Sequence, residues 1–316
     1  MSDNTTYSLA DLQSWANASK ALAKPGKLAV FGDPIAHSLS PQMHNPALEA
    51  AKIDAEYVRL HIAPANLETA LRELPKQGFI GTNVTIPHKT EVAKIVDHVS
   101  EVARRTGAVN TVLVNKENGE LTGHSTDGPG FQRAIREEFS VDLKDLRILI
   151  LGAGGGAGRA VAVQCAMEHC ERLVLANRTL SKVKTLEAEL EEFFHDPDRL
   201  EGPAERLTAI ALEDAEALAN ELYQIDLIVN ATSIGMKTTD PPLIPCHQIQ
   251  PHHLVYDMIY SPPRTRLLAD AEAAGARAAN GLSMLLWQGA LAFEFWFNQE
   301  APVEAMRKGL TDALKD

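Results

Sequence analysis

Residues 147–170 read RILILGAGGGAGRAVAVQCAMEHC, and this stretch decides the fold. The run RILIL at 147–151 has the pattern of a buried strand, and AVAVQCAMEHC at 160–170 has the pattern of a helix. Between them, the glycine-rich segment 152–158 favours a tight turn. A strand that passes through such a turn into a helix is typical of the opening unit of an α/β sheet.

This order is the context that the dinucleotide-binding fingerprint requires. Gly152 permits the tight turn, Gly154 lets the backbone approach a pyrophosphate, and Ala157 fills the third small position, where helix meets strand. The helix N-terminus adds backbone donors and partial positive charge for the phosphates. The predicted cofactor-binding residues of this loop are Gly152, Ala153, Gly154, Gly155, Gly156 and Ala157.

The end of the next strand indicates which dinucleotide is bound. NAD enzymes usually carry Asp or Glu there, which accepts hydrogen bonds from the ribose hydroxyls. Here the strand RLVLAN ends in Asn177, which is followed by Arg178, Thr179 and, just beyond, Lys182. Because an arginine can pair with a 2′-phosphate as a planar fork, NADP is favoured. The alternative is that Arg178 and Lys182 are solvated residues of a first helical turn.

Apolar runs alternate with helical patterns through the rest of the chain, which predicts βαβ units around largely parallel sheets. The fold class expected is α/β, with an N-terminal α/β domain and a Rossmann-like domain that has a doubly wound parallel sheet. In the first half, the predicted strands are 28–32, 56–62, 79–85 and 108–114. After RLVLAN, the predicted strands are 206–212, 226–232 and 253–260.

Capping residues and proline positions predict several helix boundaries. A lead-in helix is expected at 9–23, and Ser40 is the expected N-cap of a helix with Pro41 in its first turn. Pro87 is expected to open another helix. The charged segment 191–206 contains two prolines, so a helix end followed by an exposed loop is predicted there.

The segment 282–298 has helical spacing and follows the last strand of the second sheet, so we expect it to return to the first domain. The predicted substrate-binding and catalytic domain is therefore discontinuous, 1–126 plus 282–316. The NADP-binding domain is predicted at 127–281. Asp127 is followed by glycines, which predicts a hinge and an open form that closes on the cofactor.

Composition excludes several classes of function. The chain has 316 residues and a net charge of −12, which argues against a broad nucleic-acid or anionic-membrane surface. It shows no signal-peptide pattern and no apolar run of about 20 residues, and it has three cysteines, so a cytoplasmic location is predicted. No His-x-x-x-His or Cys-x-x-Cys pair occurs, so no metal is predicted.

Two polar segments of the first half are candidates for substrate chemistry. Ser38 and Ser40 present hydroxyls that could grip a carboxylate, although Ser40 is equally explained as an N-cap. Lys89 follows the polar strand end GTNVTIPH in a first helical turn, where the helix dipole disfavours protonated lysine. A lysine with a lowered pKa could exchange a proton with a reacting oxygen. The alternative is an exposed lysine at a loop.

Further polar groups lie at the ends of other elements. Asn110 and Asp127 are interpreted as polar groups at strand ends, the region where open α/β sheets bind ligands. After Gly281, Met284 and Gln288 are four residues apart, so they share one helix face. Gln288 is either a satisfied core glutamine or a contact for a substrate hydroxyl.

Taken in order, these motifs resemble the shikimate dehydrogenase family from about residue 28 to residue 298. The matching segments are GDPIAHSLSPQMHN, NVTIPHK, GAVNT, TDGPGF, GAGGGAG, NRT, NATSIGM, DMIYSPPRT and LSMLLWQGALAFEFW. Ser-Leu-Ser together with Asn-Val-Thr-x-Pro-x-Lys is especially specific. His88 departs from the aromatic residue often found before the lysine, and the first 24 or so residues lie outside the resemblance.

The resemblance implies a reversible, NADP-dependent reduction of 3-dehydroshikimate to shikimate, in the biosynthesis of chorismate and the aromatic amino acids. Lys89 and Asp127 would be the catalytic acid–base pair, and Ser38 and Ser40 would bind the substrate carboxylate. The residues implied at the substrate hydroxyls are Thr85, Asn110, Asp127 and Gln288. Tyr260 and Gly281 would lie where substrate and nicotinamide meet.

The resemblance also implies the cofactor contacts outside the glycine loop. The residues implied at the adenosine 2′-phosphate are Asn177, Arg178, Thr179 and Lys182. Thr232 and Met258 would line the cofactor channel, and we count Gly281 and Met284 with them. Two alternatives stay open: a quinate or quinate/shikimate dehydrogenase that uses NAD or both cofactors, and a noncatalytic NADP-binding sensor of the same fold. The oligomeric state is open, with a homodimer as one candidate.

Overall fold

The computed structural model describes residues 5–196 and 201–315, which divide into two compact units. The first unit extends up to Thr126 and resumes at Gln288, and the second runs from Asp127 to Trp287. Each unit has its own sheet and its own apolar core. The sheets and their helices confirm the predicted α/β fold class. The functions assigned to the two predicted domains stay predictions.

The first unit contains a mixed sheet of short strands. Its strands are β1 (Thr6–Ser8), β2 (Gly26–Gly32), β3 (Glu56–His61), β4 (Gly81–Val84), β5 (His98–Val99), β6 (Thr111–Val114) and β7 (Leu121–His124). Their order across the sheet is β1-β3-β2-β4-β6-β7-β5. The four strands β1, β3, β2 and β4 run parallel to one another, whereas β6 is antiparallel to both β4 and β7. The parallel part brings the carboxyl ends of β2, β3 and β4 to one edge.

Helices follow the strands of the first unit. They are α1 (Leu9–Gln13), α2 (Trp15–Ala18), α3 (Ser40–Ala50), α4 (Leu67–Glu73), α5 (Lys89–Ile95) and α6 (Glu101–Thr106). Short 3₁₀ turns lie at Ser19–Ala21 and Pro64–Asn66. The core of this unit is filled by side chains such as Phe31, Leu60 and Val112, none of which is exposed.

The sheet of the second unit is parallel throughout. Its strands are β8 (Arg147–Leu151), β9 (Arg172–Asn177), β10 (Leu207–Ala211), β11 (Leu227–Asn230), β12 (Leu254–Asp257) and β13 (Arg277–Asn280). The order β10-β9-β8-β11-β12-β13 reverses direction at β8 and β11, as in a doubly wound sheet. Ligands of such sheets bind at the carboxyl ends of the strands beside this reversal.

Helices accompany the second sheet and end the chain. They are α7 (Asp127–Phe139), α8 (Gly156–Met167), α9 (Leu180–Leu190), α10 (Pro203–Arg206), α11 (Ala215–Leu222), α12 (Arg266–Ala273), α13 (Leu282–Phe297) and α14 (Val303–Ala313). Short 3₁₀ turns lie at Leu143–Asp145, Glu191–Phe194 and Cys246–Gln248. In the part of the chain that the structure describes, no helix is both long enough and apolar enough to cross a membrane.

The predicted strands are confirmed, and the structure adds four. Strands β2, β3, β4 and β6 lie within or overlap the four runs predicted in the first half, and β8 to β12 coincide with those of the second half. Pattern analysis missed β1, β5, β7 and β13. These strands have two to four residues, too few for an alternation of apolar and polar positions to be recognised.

Three boundary predictions are wrong. Pro87 does not open α5, which has His88 as its N-cap and begins at Lys89. Leu39, not Ser40, is the N-cap of α3, and Ser40 is already the first helical residue. The lead-in segment is not one helix, because α1 ends at Gln13, and the hydroxyl of the following Ser14 donates to the carbonyl of Ala10 at 3.0 Å. Such local side-chain hydrogen bonds compete with continuation of a helix.

The segment 191–206 is more structured than predicted. Residues 197–200 lie outside the described residues, but a 3₁₀ turn occupies Glu191–Phe194 and α10 occupies Pro203–Arg206. Arg206 is only 3% exposed, and its guanidinium donates to the backbone carbonyls of Glu171, Cys170 and Phe194. The end of this segment is therefore anchored to the unit, which the proline content alone did not indicate.

Candidate functional site

Two serine hydroxyls lie side by side at the start of α3. The Ser38 hydroxyl donates to the Ser40 Oγ at 3.1 Å, and the Ser40 backbone N–H donates to the Ser38 Oγ at 3.3 Å. Ser38 is half-buried and Ser40 is 7% exposed. Two adjacent hydroxyls at a helix N-terminus are suited to the two oxygens of a carboxylate.

A buried arginine holds this turn from the neighbouring strand. Arg59, in the middle of β3, donates from Nε and Nη2 to the Ser38 carbonyl oxygen at 3.0 and 2.8 Å. Its Nη2 also donates to the Gln42 Oε1 at 2.8 Å. Sequence analysis did not single out Arg59. The available signal was a charged residue inside an otherwise apolar strand.

An amide network begins at the tyrosine two residues before Arg59. The Tyr57 hydroxyl donates to the Asn83 Oδ1 at 2.7 Å, and it also interacts with the Ser40 side chain. Burial raises the pKa of the Tyr57 hydroxyl well above its usual range, so it stays a donor. The Asn83 amide in turn donates to the Asn110 carbonyl at 3.2 Å and to the Thr111 hydroxyl at 3.0 Å.

The network continues through Asn110 to the C-terminal helix. The Asn110 amide donates to the Thr126 hydroxyl at 2.9 Å and to the Gln288 Oε1 at 3.5 Å. The Thr126 backbone N–H donates to the Asn110 Oδ1 at 2.8 Å. Four residues predicted at the substrate, Ser38, Ser40, Asn110 and Gln288, are thus connected within the first unit. Tyr57, Asn83 and Thr126, which connect them, were not predicted.

Thr85 and Lys89 lie at the carboxyl end of β4. Thr85 packs against β2, since a Cβ on Gly32 would lie 2.7 Å from the Thr85 Cγ2. Lys89 is the first residue of α5 and so lies in the first helical turn, as predicted, and its carbonyl accepts from the Val109 N–H at 2.8 Å. The buried ring of His88 bonds the Ile62 carbonyl at 2.7 Å, which fixes the start of the helix. Burial lowers the pKa of His88, which favours the neutral ring that forms this hydrogen bond.

Asp127 is the first residue of α7 and is 5% exposed. It follows Thr126 directly in the chain, and Thr126 is fixed by Asn110 as described above. The catalytic pairing of Asp127 with Lys89 stays a prediction.

In the second unit, the glycine loop is shaped by close backbone contacts. Gly152 has a φ of +90°, a conformation that favours glycine, and its N–H donates to the Ala176 carbonyl at 2.8 Å. A Cβ on Gly158 would lie 2.3 Å from the Gly152 carbonyl oxygen. The position where helix meets strand is therefore Gly158, and the prediction that Ala157 fills it is wrong. Ala157 is half-buried one residue earlier.

The same loop lies against the end of β9. A Cβ on Gly154 would lie 2.9 Å from the Asn177 Cγ and 3.0 Å from the Lys182 Cβ. The Asn177 amide donates to the Thr179 carbonyl at 3.0 Å. Arg178 and Lys182 are exposed, and neither forms an ion pair with any residue that the structure describes. Two uncompensated cations beside a glycine loop suit a phosphate group.

A buried network holds the loops on the other side of Gly152. A Cβ on Gly152 would lie 2.7 Å from the Thr232 Cγ2, so the Thr232 side chain covers the turn. The Thr232 hydroxyl donates to the Asn230 Oδ1 at 2.7 Å, and the Asn230 amide donates to the Asp257 Oδ1 at 3.0 Å. Burial raises the pKa of Asp257, and the hydroxyl of Thr265, 2.6 Å away, opposes that rise. Asn230, Asp257 and Thr265 were not predicted.

The remaining predicted cofactor residues fall into two environments. Gly281 lies against the backbone of Met258, because a Cβ on Gly281 would be 2.1 Å from the Met258 carbonyl oxygen. Tyr260 is half-buried just beyond, and burial raises the pKa of its hydroxyl. Met284 belongs to the apolar core of the second unit and is 7% exposed. Its cofactor contact stays a prediction.

Family models match three segments of the chain. The substrate binding domain of shikimate dehydrogenase matches residues 30–112, and the model described as shikimate / quinate 5-dehydrogenase matches residues 133–237. The C-terminal domain of shikimate 5'-dehydrogenase matches residues 281–310. The first match contains Ser38, Lys89 and Asn110, and the second contains the glycine loop.

Individual relatives resemble the chain over nearly its whole length. The shikimate dehydrogenase (NADP(+)) of Methanopyrus kandleri is 41% identical over 295 residues, 93% of this chain and 97% of the relative. A solved shikimate dehydrogenase in complex with NADP+ is 35% identical, covers 92% of this chain and 96% of its own, and has a TM-score of 0.81. The shikimate 5-dehydrogenase of Listeria monocytogenes in complex with shikimate and NAD is 33% identical, covers 90% and 96%, and has a TM-score of 0.80.

Proposed function

We propose that this chain, which belongs to the shikimate dehydrogenase family, catalyses the reversible NADPH-dependent reduction of 3-dehydroshikimate to shikimate. The reaction is a step in the biosynthesis of chorismate and the aromatic amino acids. The observation that carries the proposal is the continuous polar network from Ser38 to Gln288. It offers hydroxyls for a carboxylate at one end and amides for ring hydroxyls at the other.

The proposed substrate contacts follow from the chemistry of this network. Ser38 and Ser40 are neutral donors for the carboxylate of shikimate. Gln288 and Asn110 supply amide groups that can donate to a ring hydroxyl or accept from it. Thr85 and Tyr260 contribute further hydroxyl groups to the proposed substrate site. A site built to bond hydroxyl groups discriminates strongly against a substrate that lacks them.

Lys89 and Asp127 are the proposed acid–base pair. Bound NADPH supplies the hydride that the carbonyl carbon of 3-dehydroshikimate accepts. The Lys89 ammonium gives a proton to the carbonyl oxygen, which becomes the hydroxyl of shikimate, and the neutral amine takes it back in the reverse direction. The Asp127 carboxylate accepts hydrogen bonds from the lysine and from this hydroxyl, and thereby orients both.

The cofactor proposed is NADP, bound by the second unit. The N-terminus of α8 and the amides of the glycine loop would hold the pyrophosphate. Arg178 and Lys182 would hold the 2′-phosphate beside Asn177 and Thr179, where no carboxylate stands to receive the ribose hydroxyls of NAD. The loops fixed by Asn230 and Asp257 would place Thr232, Met258 and Gly281 along the cofactor.

We also propose a cytoplasmic location, supported by the small number of cysteines and by the biosynthetic role of the family. A homodimer stays a candidate assembly, and light scattering of the purified protein measures it. A mass of one chain under assay conditions would rule the dimer out.

The proposed activity is tested by following NADPH formation by its absorbance when the enzyme receives shikimate and NADP+. We expect turnover that needs both compounds and that is much slower with NAD+. The second candidate, a quinate dehydrogenase, is tested in the same assay with quinate and NAD+. A clear preference for quinate with NAD+ contradicts the proposal. Tight NADPH binding without turnover of either substrate would instead indicate a noncatalytic sensor.

A further inference from the structure

Arg59 is a charged side chain that the proposed chemistry does not use. It lies in the middle of β3 between the buried residues Val58 and Leu60, and it is only 2% exposed. Removing a guanidinium from water is costly unless its N–H groups find acceptors in the protein. The positions of the acceptors therefore indicate which part of the structure Arg59 holds in place.

One acceptor is the backbone of the proposed carboxylate-binding turn. The Nε and Nη2 atoms of Arg59 both donate to the carbonyl oxygen of Ser38, at 3.0 and 2.8 Å. Nη2 also donates to the side chain of Gln42, in the first turn of α3, at 2.8 Å. Two donors in one plane fix a carbonyl in direction as well as distance, which a single ammonium cannot do.

This clamp fixes the direction of both serine hydroxyls. The Ser38 hydroxyl donates to the Ser40 Oγ at 3.1 Å and accepts a hydrogen bond from the Ser40 backbone N–H at 3.3 Å. The turn is thus held by Arg59 on its buried side and by the serine hydrogen bonds on its other side. The hydroxyls themselves are neutral, and the guanidinium behind them is a cation at every working pH.

We propose that Arg59 is the positioning residue of the carboxylate subsite and supplies the positive charge that its two serines lack. The proposal rests on the proposed function, because it assumes that Ser38 and Ser40 bind a substrate carboxylate. In this proposal the substrate carboxylate accepts hydrogen bonds from the two hydroxyls. It interacts electrostatically with the guanidinium, which lies on the other side of the Ser38 peptide group. Charges interact more strongly in a buried environment than in water, so the cation acts without touching the substrate.

The chain offers a matched control in the second unit. Arg206 is 3% exposed, and its guanidinium also donates to backbone carbonyls, those of Glu171, Phe194 and Cys170. Arg206→Gln removes a buried arginine of the same kind at a position that the proposed function does not use. Arg59→Gln removes both the charge and the pair of coplanar N–H donors at the turn. Arg59→Lys keeps the charge but removes the pair of donors.

The first measurement is steady-state kinetics of the full-length variants with shikimate and NADP+. For Arg59→Gln we expect the KM for shikimate to rise about 10-fold or more, with kcat and the KM for NADP+ within about 2-fold. Arg59→Lys should show a smaller rise of about 3-fold, and Arg206→Gln should show none. An unchanged KM for shikimate in Arg59→Gln overturns the proposal, and so does an equal rise in Arg206→Gln.

The second measurement separates charge from general loosening of the turn. Calorimetric titrations compare shikimate with its neutral methyl ester on the wild type and on Arg59→Gln. We expect the substitution to weaken the binding of shikimate at least about 5-fold more than the binding of the ester, because only shikimate carries a negative charge. Equal weakening of both ligands overturns the charge role. If Arg59→Gln does not fold, Arg59→Lys decides: a KM for shikimate equal to that of the wild type then overturns the proposal.

Failure of the proposed function gives a different result. An enzyme that binds shikimate by calorimetry but forms no NADPH would refute the proposed reaction. The binding comparison between the wild type and Arg59→Gln would still decide the role of Arg59. A wild-type protein that does not bind shikimate overturns both.

Discussion

In the first unit the candidate site is made mainly of side chains, whereas in the second the glycine loop offers backbone without side chains. The asparagines, serines and tyrosine of the first unit satisfy one another in a buried network that ends at Gln288. In the second unit, Gly152, Gly154 and Gly158 stand where any Cβ would meet a neighbour at 3 Å or less. A small polyhydroxylated ligand needs many directed groups, whereas a pyrophosphate needs a bare backbone and a helix N-terminus.

This difference between the two units predicts which property each substitution should change. Changes to the side chains of the first unit should alter substrate turnover and leave NADP binding intact. Changes to the glycine loop or to Arg178 should alter cofactor binding or folding of the second unit. Any substitution that affects both equally would argue against this division.

The largest effect is expected for Lys89→Ala, which removes the proposed proton donor. We expect kcat to fall about 1,000-fold, since general acid–base groups contribute roughly 10²–10⁴-fold. The Kd for NADPH, measured by fluorescence titration, should stay within about 2-fold of the wild type, because the lysine lies in the other unit. Lys94→Ala is the control, since Lys94 lies exposed on the same helix and pairs with Glu91. A loss of NADPH binding with normal turnover at saturation would contradict the role.

The next effect concerns the choice of cofactor. Arg178→Ala should weaken NADPH binding by about 30-fold, which is the loss expected for a charge-assisted hydrogen bond. It should change the affinity for NADH little. Both dissociation constants can be measured by fluorescence titration. Lys184→Ala is the control and should affect neither affinity, because Lys184 lies in α9, shortly after Arg178, and is paired with Glu187. Equal weakening of both cofactors would mean that Arg178 does not contact the 2′-phosphate.

A smaller effect is expected when the backbone contact at the start of α8 is disturbed. Gly158→Ala places a Cβ 2.3 Å from the Gly152 carbonyl oxygen, and overpacking of this kind costs about 2 kcal/mol. Urea unfolding should show that loss in the second unit. Gly156→Ala is the matched control, because a Cβ there has no neighbour within 4 Å. If the two variants are equally stable, the close approach is not essential.

The most gradual effect is a pH dependence of stability that arises in the first unit. His44 is not exposed and stacks on Tyr57 at 4.4 Å, and burial lowers its pKa from 6.5 to about 3. The native ring therefore stays neutral while the unfolded chain takes up a proton below pH 6.5. Stability should fall by up to about 1.4 kcal/mol per pH unit between these two values.

The contribution of His44 is measured by urea unfolding of the wild type and His44→Phe at about pH 7 and about pH 5. His44→Phe keeps an aromatic ring but cannot titrate, so its stability should depend less on pH. His247→Gln, at an exposed position, should leave the wild-type dependence unchanged. An identical pH dependence in His44→Phe would show that the ring does not titrate on unfolding.

The sequence revealed the second unit better than the first, and the reason is the length of chain that each site needs. The glycine loop, Asn177, Arg178 and Lys182 lie within about thirty consecutive residues, so strand, turn and helix signals could be combined locally. The fingerprint spacing still selected Ala157 instead of Gly158, because only the structure shows which helical position faces the strand.

The network of the first unit joins residues from 38 to 288, and no local pattern predicts such contacts. The sequence singled out Ser38, Asn110 and Gln288 as candidates, and the resemblance to a family supplied their expected roles. It did not supply Arg59 or Tyr57, because polar residues inside a strand can face either a core or a site. Only the pairing of β3 with its neighbours and its position behind the Ser38 turn distinguish the two.

The most direct test of the account is a crystal structure of the protein with shikimate and NADP+. We expect the Lys89 Nζ and the Asp127 carboxylate both to lie within about 3 Å of the same ring hydroxyl, while the carboxylate of shikimate contacts Ser38 and Ser40. Lys89 and Asp127 in separate solvent regions, away from the nicotinamide, would contradict the proposed chemistry.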